Sequence, residues 1–320
     1  MKYRKITALC LAVFLMLSSV MTGCGREGKS LAPLPETESD KPPAVSEAMS
    51  GEAAASLEET LDGTGQTLTL TEAMARTGDL ILVNSRLPYD FDANADSADI
   101  VNIRDTQSFF YQVSKLELSV ASRIMPSLDA MIAACHEAMG NEEAGIESAY
   151  RSLDYQINVM SEITELYGED YAAKYVAQPG YSEHHTGLSV DIGRFFPDGS
   201  EGSFSESESA VWMNDNSWRY GFVRRYAEDK TAVTGISNEA WHFRYVGVPH
   251  AAYMKANNLA LEEYLELLRS ETDRSHPLSL TADDGTYAVY MTTETTIPEP
   301  AGDYRISGSN SGEWIVTVRL

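Results

Sequence analysis

The sequence predicts an α+β fold: a single domain with a small antiparallel sheet flanked by helices, followed by a small C-terminal β appendage. Two observations carry this reading. Apolar residues recur at helical spacing from about Thr106 to Leu118 and from Pro126 to Met139, whereas the stretch 178–248 is rich in Gly, aromatic and β-branched residues, which suits strands and loops. The two patterns come in blocks and not in a regular β-α-β alternation, so helices and strands segregate. At 320 residues, 43% hydrophobic and 22% charged, the chain can bury a full core and a second, smaller unit.

The N-terminus is read apart from the fold. Lys2, Arg4 and Lys5 precede an uncharged apolar run from Ile6 to about Met21, followed by Thr22, Gly23 and Cys24. Residues 1–23 therefore read as a secretory signal. A cysteine directly after Met21-Thr22-Gly23 resembles a bacterial lipobox, which implies lipidation of Cys24; the alternative is an uncleaved anchor, for which the run is short. Residues 24–61 hold Pro33, Pro35, Pro42 and Pro43 among Glu, Ser and Ala, with no aromatic residue between Phe14 and Tyr89, and read as a disordered tether. Either way, residues 62–320 are expected outside the cytoplasm, held at the membrane.

The domain proper spans 62–274. Leu80-Ile81-Leu82-Val83 reads as a short strand and Gly145–Tyr150 as another, leading into a helix with Ile157, Met160, Ile163 and Tyr167 on one side. Pro126 suits the first turn of the second helix. Cys135 falls in the series Leu128, Met131, Ile132, Cys135, Met139 on one helical face, so it reads as core and not as a nucleophile. A helix near 251–270 presents Leu261, Tyr264, Leu265 and Leu268 on one face. Beyond 275 the alternation of Tyr287, Val289 and Met291 after Asp284-Gly285, and the run Trp314–Val318, make the β appendage.

Charge excludes one class of function. Lys and Arg number 24 against 48 Asp and Glu, a net −24 that becomes −27 once the three positive charges of the signal are removed. That is the opposite of what phosphate neutralisation requires, so no nucleic-acid partner is expected.

Chemistry concentrates in two segments, Pro179-Gly180-Tyr181-Ser182-Glu183-His184-His185-Thr186-Gly187-Leu188-Ser189-Val190-Asp191 and Glu239-Ala240-Trp241-His242-Phe243-Arg244-Tyr245. His184, Asp191 and His242 could supply the three N or O ligands of a catalytic zinc. Spacing alone leaves this open, because a His between Trp241 and Phe243 also suits a core position. His136, His250 and His276 fit no ligand pattern and read as surface residues, and His185 reads as a supporting or surface residue beside a ligand.

The two segments resemble the paired signatures of the VanY-type zinc D-alanyl-D-alanine carboxypeptidases, peptidases of the M15 family. Ser-x-His-x-x-Gly-x-Ala-x-Asp is matched by Ser182, His184, Gly187 and Asp191, with Ser189 in place of Ala. Glu-x-Trp-His is matched by Glu239, Trp241 and His242, with Ala240 where Pro is usual. Ser148-Ala149-Tyr150-Arg151-Ser152, with Gln156, resembles a third motif, and the likeness runs from about Leu80 to Leu268.

The resemblance implies one zinc ion per chain on His184, Asp191 and His242, with Glu239 passing the water proton to the leaving amine. It also implies Arg151 at the oxyanion or at a substrate carboxylate, and Ser182, Tyr150 and Gln156 along the substrate groove or as turn residues that shape it. Trp241 is expected to pack beneath the metal site. The implied reaction removes C-terminal D-Ala from peptidoglycan stem peptides. An L,D-carboxypeptidase acting on tetrapeptide stems and a non-catalytic lipoprotein that binds wall peptide are the alternatives. A penicillin-type serine enzyme is excluded, because no lysine has a serine three residues before it. His-Glu-x-x-His is absent as well, and Ser182 lacks the second glycine of a nucleophile elbow.

Overall fold

The computed structural model describes residues 57–320 apart from 58, 62, 64 and 96–98. The predicted signal 1–23, Cys24 and nearly all of the 24–61 tether lie outside the described residues. The tether reading does extend too far: Leu61 is 2% exposed and packs with Leu70, Ala75 and Ile297.

Helix α1 (Met125–Met139) is as predicted. Pro126 occupies its first turn, where a missing N–H costs nothing, and Gly140 ends it at φ +64°. Leu128, Met131, Ile132 and Cys135 are fully buried along one face. Leu128, Met131 and Ile132 each contribute about 1.5–3 kcal/mol of burial, so packing and not intrinsic propensity fixes this helix. Burial pushes the Cys135 thiol up to about 11, in keeping with a core cysteine.

Five strands build the central antiparallel sheet: β1 (Ala144–Ser148), β2 (Ser189–Phe195), β3 (Phe222–Tyr226) and β4 (Glu239–Tyr245) run in the order β1-β2-β4-β3, and the two-residue strand Glu201–Gly202 pairs with the end of β2. Side chains alternate across a strand, so Ile146, Val190, Ile192 and Phe243 join the core with α1. Asp191, His242 and Arg244, at the intervening positions, stand on the opposite face. The site is built on that face. Around the sheet lie α2 (Leu153–Tyr167), α3 (Glu169–Tyr175), α4 (Glu208–Asn216), α5 (Val248–Ala256) and α6 (Leu261–Glu271).

Local predictions fail where backbone polar groups find partners outside regular structure. The helix expected over 106–118 shrinks to a single turn, Ile103–Thr106. Beyond it, Asp129 accepts from the Ser108 amide and the Tyr111 hydroxyl, and residues 112–114 bond to Ile146 at the edge of β1. Leu80–Val83 is buried but is not a strand. Ser307 and Ser309 accept from its amides, while Asn310 and Arg244 donate to its carbonyls. The helix near 251–270 is two helices, parted at Asn258, which takes φ +49°. In α2, Gln156 and Ile163 are buried while Ile157 is 46% exposed, so its inward face is rotated from the predicted one.

The C-terminal strands β5 (Leu278–Ala282), β6 (Gly285–Thr292), β7 (Tyr304–Gly308) and β8 (Trp314–Arg319) form the predicted β unit, in the order β7-β8-β6-β5. It is not a separable appendage. Val289, Met291 and Ile315 pack on one face with residues of α5 and α6, and Ala288, Tyr290 and Val316 pack on the other with Leu61, Leu70 and Ala75. Thr67–Thr69 also pairs with Thr296–Pro298. His250, predicted at the surface, is buried between α6 and β8, 2.8 Å from the Tyr264 hydroxyl and 3.2 Å from that of Thr317. His136 is likewise half-buried, with its Nε2 2.7 Å from the Ala144 carbonyl, whereas His276 is exposed as expected.

Candidate metal centre and active site

Two strands and one tight turn bring the three predicted ligands together. Asp191 and His242 are register partners on β2 and β4, with His242 Nδ1 2.9 Å from Asp191 Oδ1. His184 sits in the 3-10 turn Glu183–Thr186 that feeds β2. Ser182 caps this turn, its hydroxyl accepting from the His184 amide, and Gly187 closes it at φ +68°. A Cβ on Gly187 would lie 2.7 Å from Ile100 and 2.9 Å from the Ala121 amide nitrogen, so glycine is required there. His184 Nε2 is 3.2 Å from Asp191 Oδ2, and one donor atom from each of the three residues lies within 4.8 Å of the others.

The protonation states are set by surroundings. Burial and the charge of Arg151 lower His184 to about 4, so its ring is neutral. Burial opposes charge on His242 too, but hydrogen bonds to Asp191 and Glu183 overcome it and raise the ring to about 9. Burial alone would raise Asp191, yet its contacts with His184 and His242 hold it well below the usual range. Glu239 stands at the start of β4 with Oε2 3.8 Å from His242 Nδ1 and its side chain 16% exposed. Burial, reinforced by the charges of Asp191 and Glu183, raises it to about 7.

Arg151 lies directly against the ligand set. Its Nη2 donates to Asp191 Oδ2 at 3.0 Å and to the Ser148 hydroxyl at 2.9 Å. His185 holds this arginine's backbone: its Nδ1 is 2.6 Å from the Arg151 carbonyl, and its Nε2 accepts from the Gly180 amide. Both nitrogens are engaged and the ring is fully buried, so His185 is neither a ligand nor a surface residue.

The residues expected along the substrate groove divide. Tyr150 is half-buried beside Arg151. Gln156 is fully buried, its Oε1 3.5 Å from Arg151 and its amide donating to the Ala177 carbonyl, so it braces the arginine. Ser182 is 3% exposed and acts as the turn cap described above. Trp241 packs against the central core from the strand that carries His242.

Sequence reasoning missed a buried ion group beneath the ligands. Glu183 Oε1 accepts from Arg225 Nε at 2.8 Å and Arg244 Nη1 at 3.1 Å, and Arg225 is held bidentately by Glu262. A signal existed: Arg244 follows His242 by two residues and so shares its face of β4, and Glu183 directly precedes His184.

Two imidazoles and one ionised carboxylate, all buried and converging, are the donor set that zinc takes when one position is left open. Residues 117–248 match the family model described as VanY, D-alanyl-D-alanine carboxypeptidase. A D-alanyl-D-alanine carboxypeptidase of Enterococcus faecium is 34% identical over 261 residues, 79% of each chain. This chain belongs to the VanY D-alanyl-D-alanine carboxypeptidase family. A second relative, a D-alanyl-D-alanine carboxypeptidase of Enterococcus faecalis (strain ATCC 700802 / V583), is 41% identical over 130 residues, 38% of this chain and 46% of its own. Among solved structures, the vancomycin-resistance D,D-dipeptidase VanXYg, in complex with a D-Ala-D-Ala phosphinate analogue, superposes with a TM-score of 0.69 at 29% identity. The match covers 80% of this chain and 99% of that one. The VanY-family match spans β1 to β4 and thus includes His184, Asp191, Glu239 and His242.

Proposed function

We propose that this chain is a zinc metallocarboxypeptidase that hydrolyses the C-terminal D-Ala from peptidoglycan stem peptides, with His184, Asp191 and His242 as ligands. The observation that carries the reading is the convergence of these three donors with Glu239 beside them. Zinc, when bound, supplies a Lewis acid that acidifies water and polarises a carbonyl. Glu239 takes the proton from the attacking water and returns it to the leaving D-Ala amine, a double duty suited to a carboxyl held near neutrality. Arg151, already within 3.0 Å of a ligand oxygen, balances the negative charge that develops on the scissile carbonyl oxygen. Gln156 and His185 hold it in place from side chain and backbone.

Metal uptake carries a pH signature. His242 must lose its second proton to ligate, whereas His184 is already neutral at pH 7. Zinc affinity measured by chelator competition is therefore expected to climb about tenfold per pH unit through neutrality, levelling near the His242 value of about 9. A flat profile from pH 6 to 8 would contradict the assignment of His242.

The substrate is tested by mass spectrometry of stem peptides after incubation with the zinc-loaded protein. Loss of D-Ala from the pentapeptide is expected. Trimming of the tetrapeptide alone would replace the assignment with L,D activity, and binding of both without product would make the chain a wall-peptide binder.

The enzyme is further read as a lipoprotein, anchored through Cys24 to the outer face of the cell membrane. Lys2, Arg4 and Lys5 before an apolar run, then Thr22-Gly23-Cys24, support this. Among the described residues no helix is long and apolar enough to cross a membrane. Cys24→Ser is expected to abolish incorporation of radiolabelled fatty acid into the protein; a variant that still takes up the label as wild type does would disprove lipid anchoring at this residue.

A further inference from the structure

We propose that Glu183 is a positioning residue that fixes the protonated nitrogen of His242 and so leaves Nδ1 free to ligate. The inference rests on the reading of His184, Asp191 and His242 as zinc ligands. The His242 ring lies between two carboxylates, with Nδ1 2.9 Å from Asp191 Oδ1 and Nε2 3.4 Å from Glu183 Oε2. Nδ1 is the nitrogen turned to the other ligands, and Glu239 lies on the same side at 3.8 Å. A neutral imidazole that ligates through Nδ1 keeps its hydrogen on Nε2, and a buried N–H needs an acceptor. Glu183 is that acceptor.

The carboxylate has no freedom to turn away. Its Oε1 takes bonds from Arg225 and Arg244, and the Ser189 hydroxyl lies 3.3 Å from Oε2. Both arginines are themselves fixed, Arg225 by Glu262 of α6 at 2.7 and 2.8 Å, and Arg244 by the carbonyls of Asp79 and Ile81 at 2.9 and 3.0 Å. Glu183, Arg225 and Arg244 are each no more than 2% exposed. With Glu262 their four charges cancel, as a buried ionic group requires. His184 meets the same need by other means: its Nδ1 lies 2.7 Å from the Ala149 carbonyl, which leaves Nε2 toward Asp191. One ligand is thus oriented by backbone and the other by a carboxylate that α6 and the 79–81 segment hold from afar.

Glu183→Gln tests the idea with little change of shape. Its carbonyl is expected to go to the two arginines, turning the amide NH2 toward His242 Nε2 and favouring the ring protonated on Nδ1, which cannot ligate there. Zinc affinity by chelator competition should fall about 10- to 100-fold. Glu262→Gln disturbs the same ion group but keeps the Glu183 carboxylate on His242 Nε2, and should cost far less zinc affinity than Glu183→Gln. Equal affinity in Glu183→Gln and wild type, or equal losses in both variants, would overturn the proposal. Should Glu183→Gln not fold, wild-type protein decides: long-range 1H–15N NMR of the zinc-loaded chain should show His242 protonated at Nε2 and metal-bound at Nδ1, and the reverse arrangement overturns it. A folded wild-type protein that takes up no zinc overturns the ligand reading itself, a failure distinct from a correct ligand set with an indifferent Glu183.

Discussion

Glu239→Gln is expected to lower kcat by about 10²- to 10⁴-fold while the protein folds and binds zinc as before. The amide keeps the volume of the carboxyl but has no basic oxygen for the proton of the attacking water. Position supports the role: the side chain opens β4 beside His242, and is close to it without being one of the three convergent donors. Its pKa of about 7, set chiefly by burial, keeps both protonation states accessible near neutrality. A structural carboxylate would show a different pattern, with lost stability and little change in turnover. The measurement is steady-state release of D-Ala from pentapeptide, with metal content and a thermal melt on the same preparation. Turnover within tenfold of wild type would remove Glu239 as the base.

Arg151→Ala is expected to reduce kcat about 10²- to 10³-fold with little change in KM, the signature of a charge used in the transition state. Its partner Asp191 keeps both histidines, so the ligand set survives the substitution. Arg151→Lys should recover only part of the loss, because an ammonium is a point charge and cannot span Ser148 and Asp191 while reaching the developing oxyanion. A large rise in KM at unchanged kcat would reassign Arg151 to the terminal carboxylate of the substrate, the other role that its charge permits.

Much of the site was legible in the sequence because its motifs are local. Ser182 to Asp191 spans one turn and one strand, and Glu239 to His242 one strand, so spacing carries geometry across only a few residues. Gln156 shows the limit of this kind of reading. A motif placed it correctly near Arg151, but only the packing of α2 shows that its amide is spent on Arg151 and Ala177. Ser182 likewise belongs to the motif as a cap that shapes the His184 turn.

Elements misread from sequence share one cause. The segments 80–83 and 107–118 have the apolar content of regular structure, yet their backbone groups bond to side chains and strands far along the chain, among them Ser307, Asn310, Arg244 and Ile146. Periodicity reports which side chains seek burial and says nothing of where remote partners will lie. His250 illustrates the same point for a single residue, because the hydroxyls that make its burial tolerable come from α6 and from β8.

By itself, the sequence determined the α+β class, the acidic charge and the core placement of Cys135, because each depends on composition or on short-range order, and its resemblance to the VanY family pointed to the ligand and base residues. Only the tertiary structure decided that the last 46 residues share a core with the peptidase domain, and that Asp191 and His242 stand in register. It alone also decided that Glu183, Arg225, Arg244 and Glu262 close a neutral buried ion group under the metal site. These depend on contacts between residues tens to hundreds of positions apart, where the free energy of burying a charge or an apolar face selects the partner.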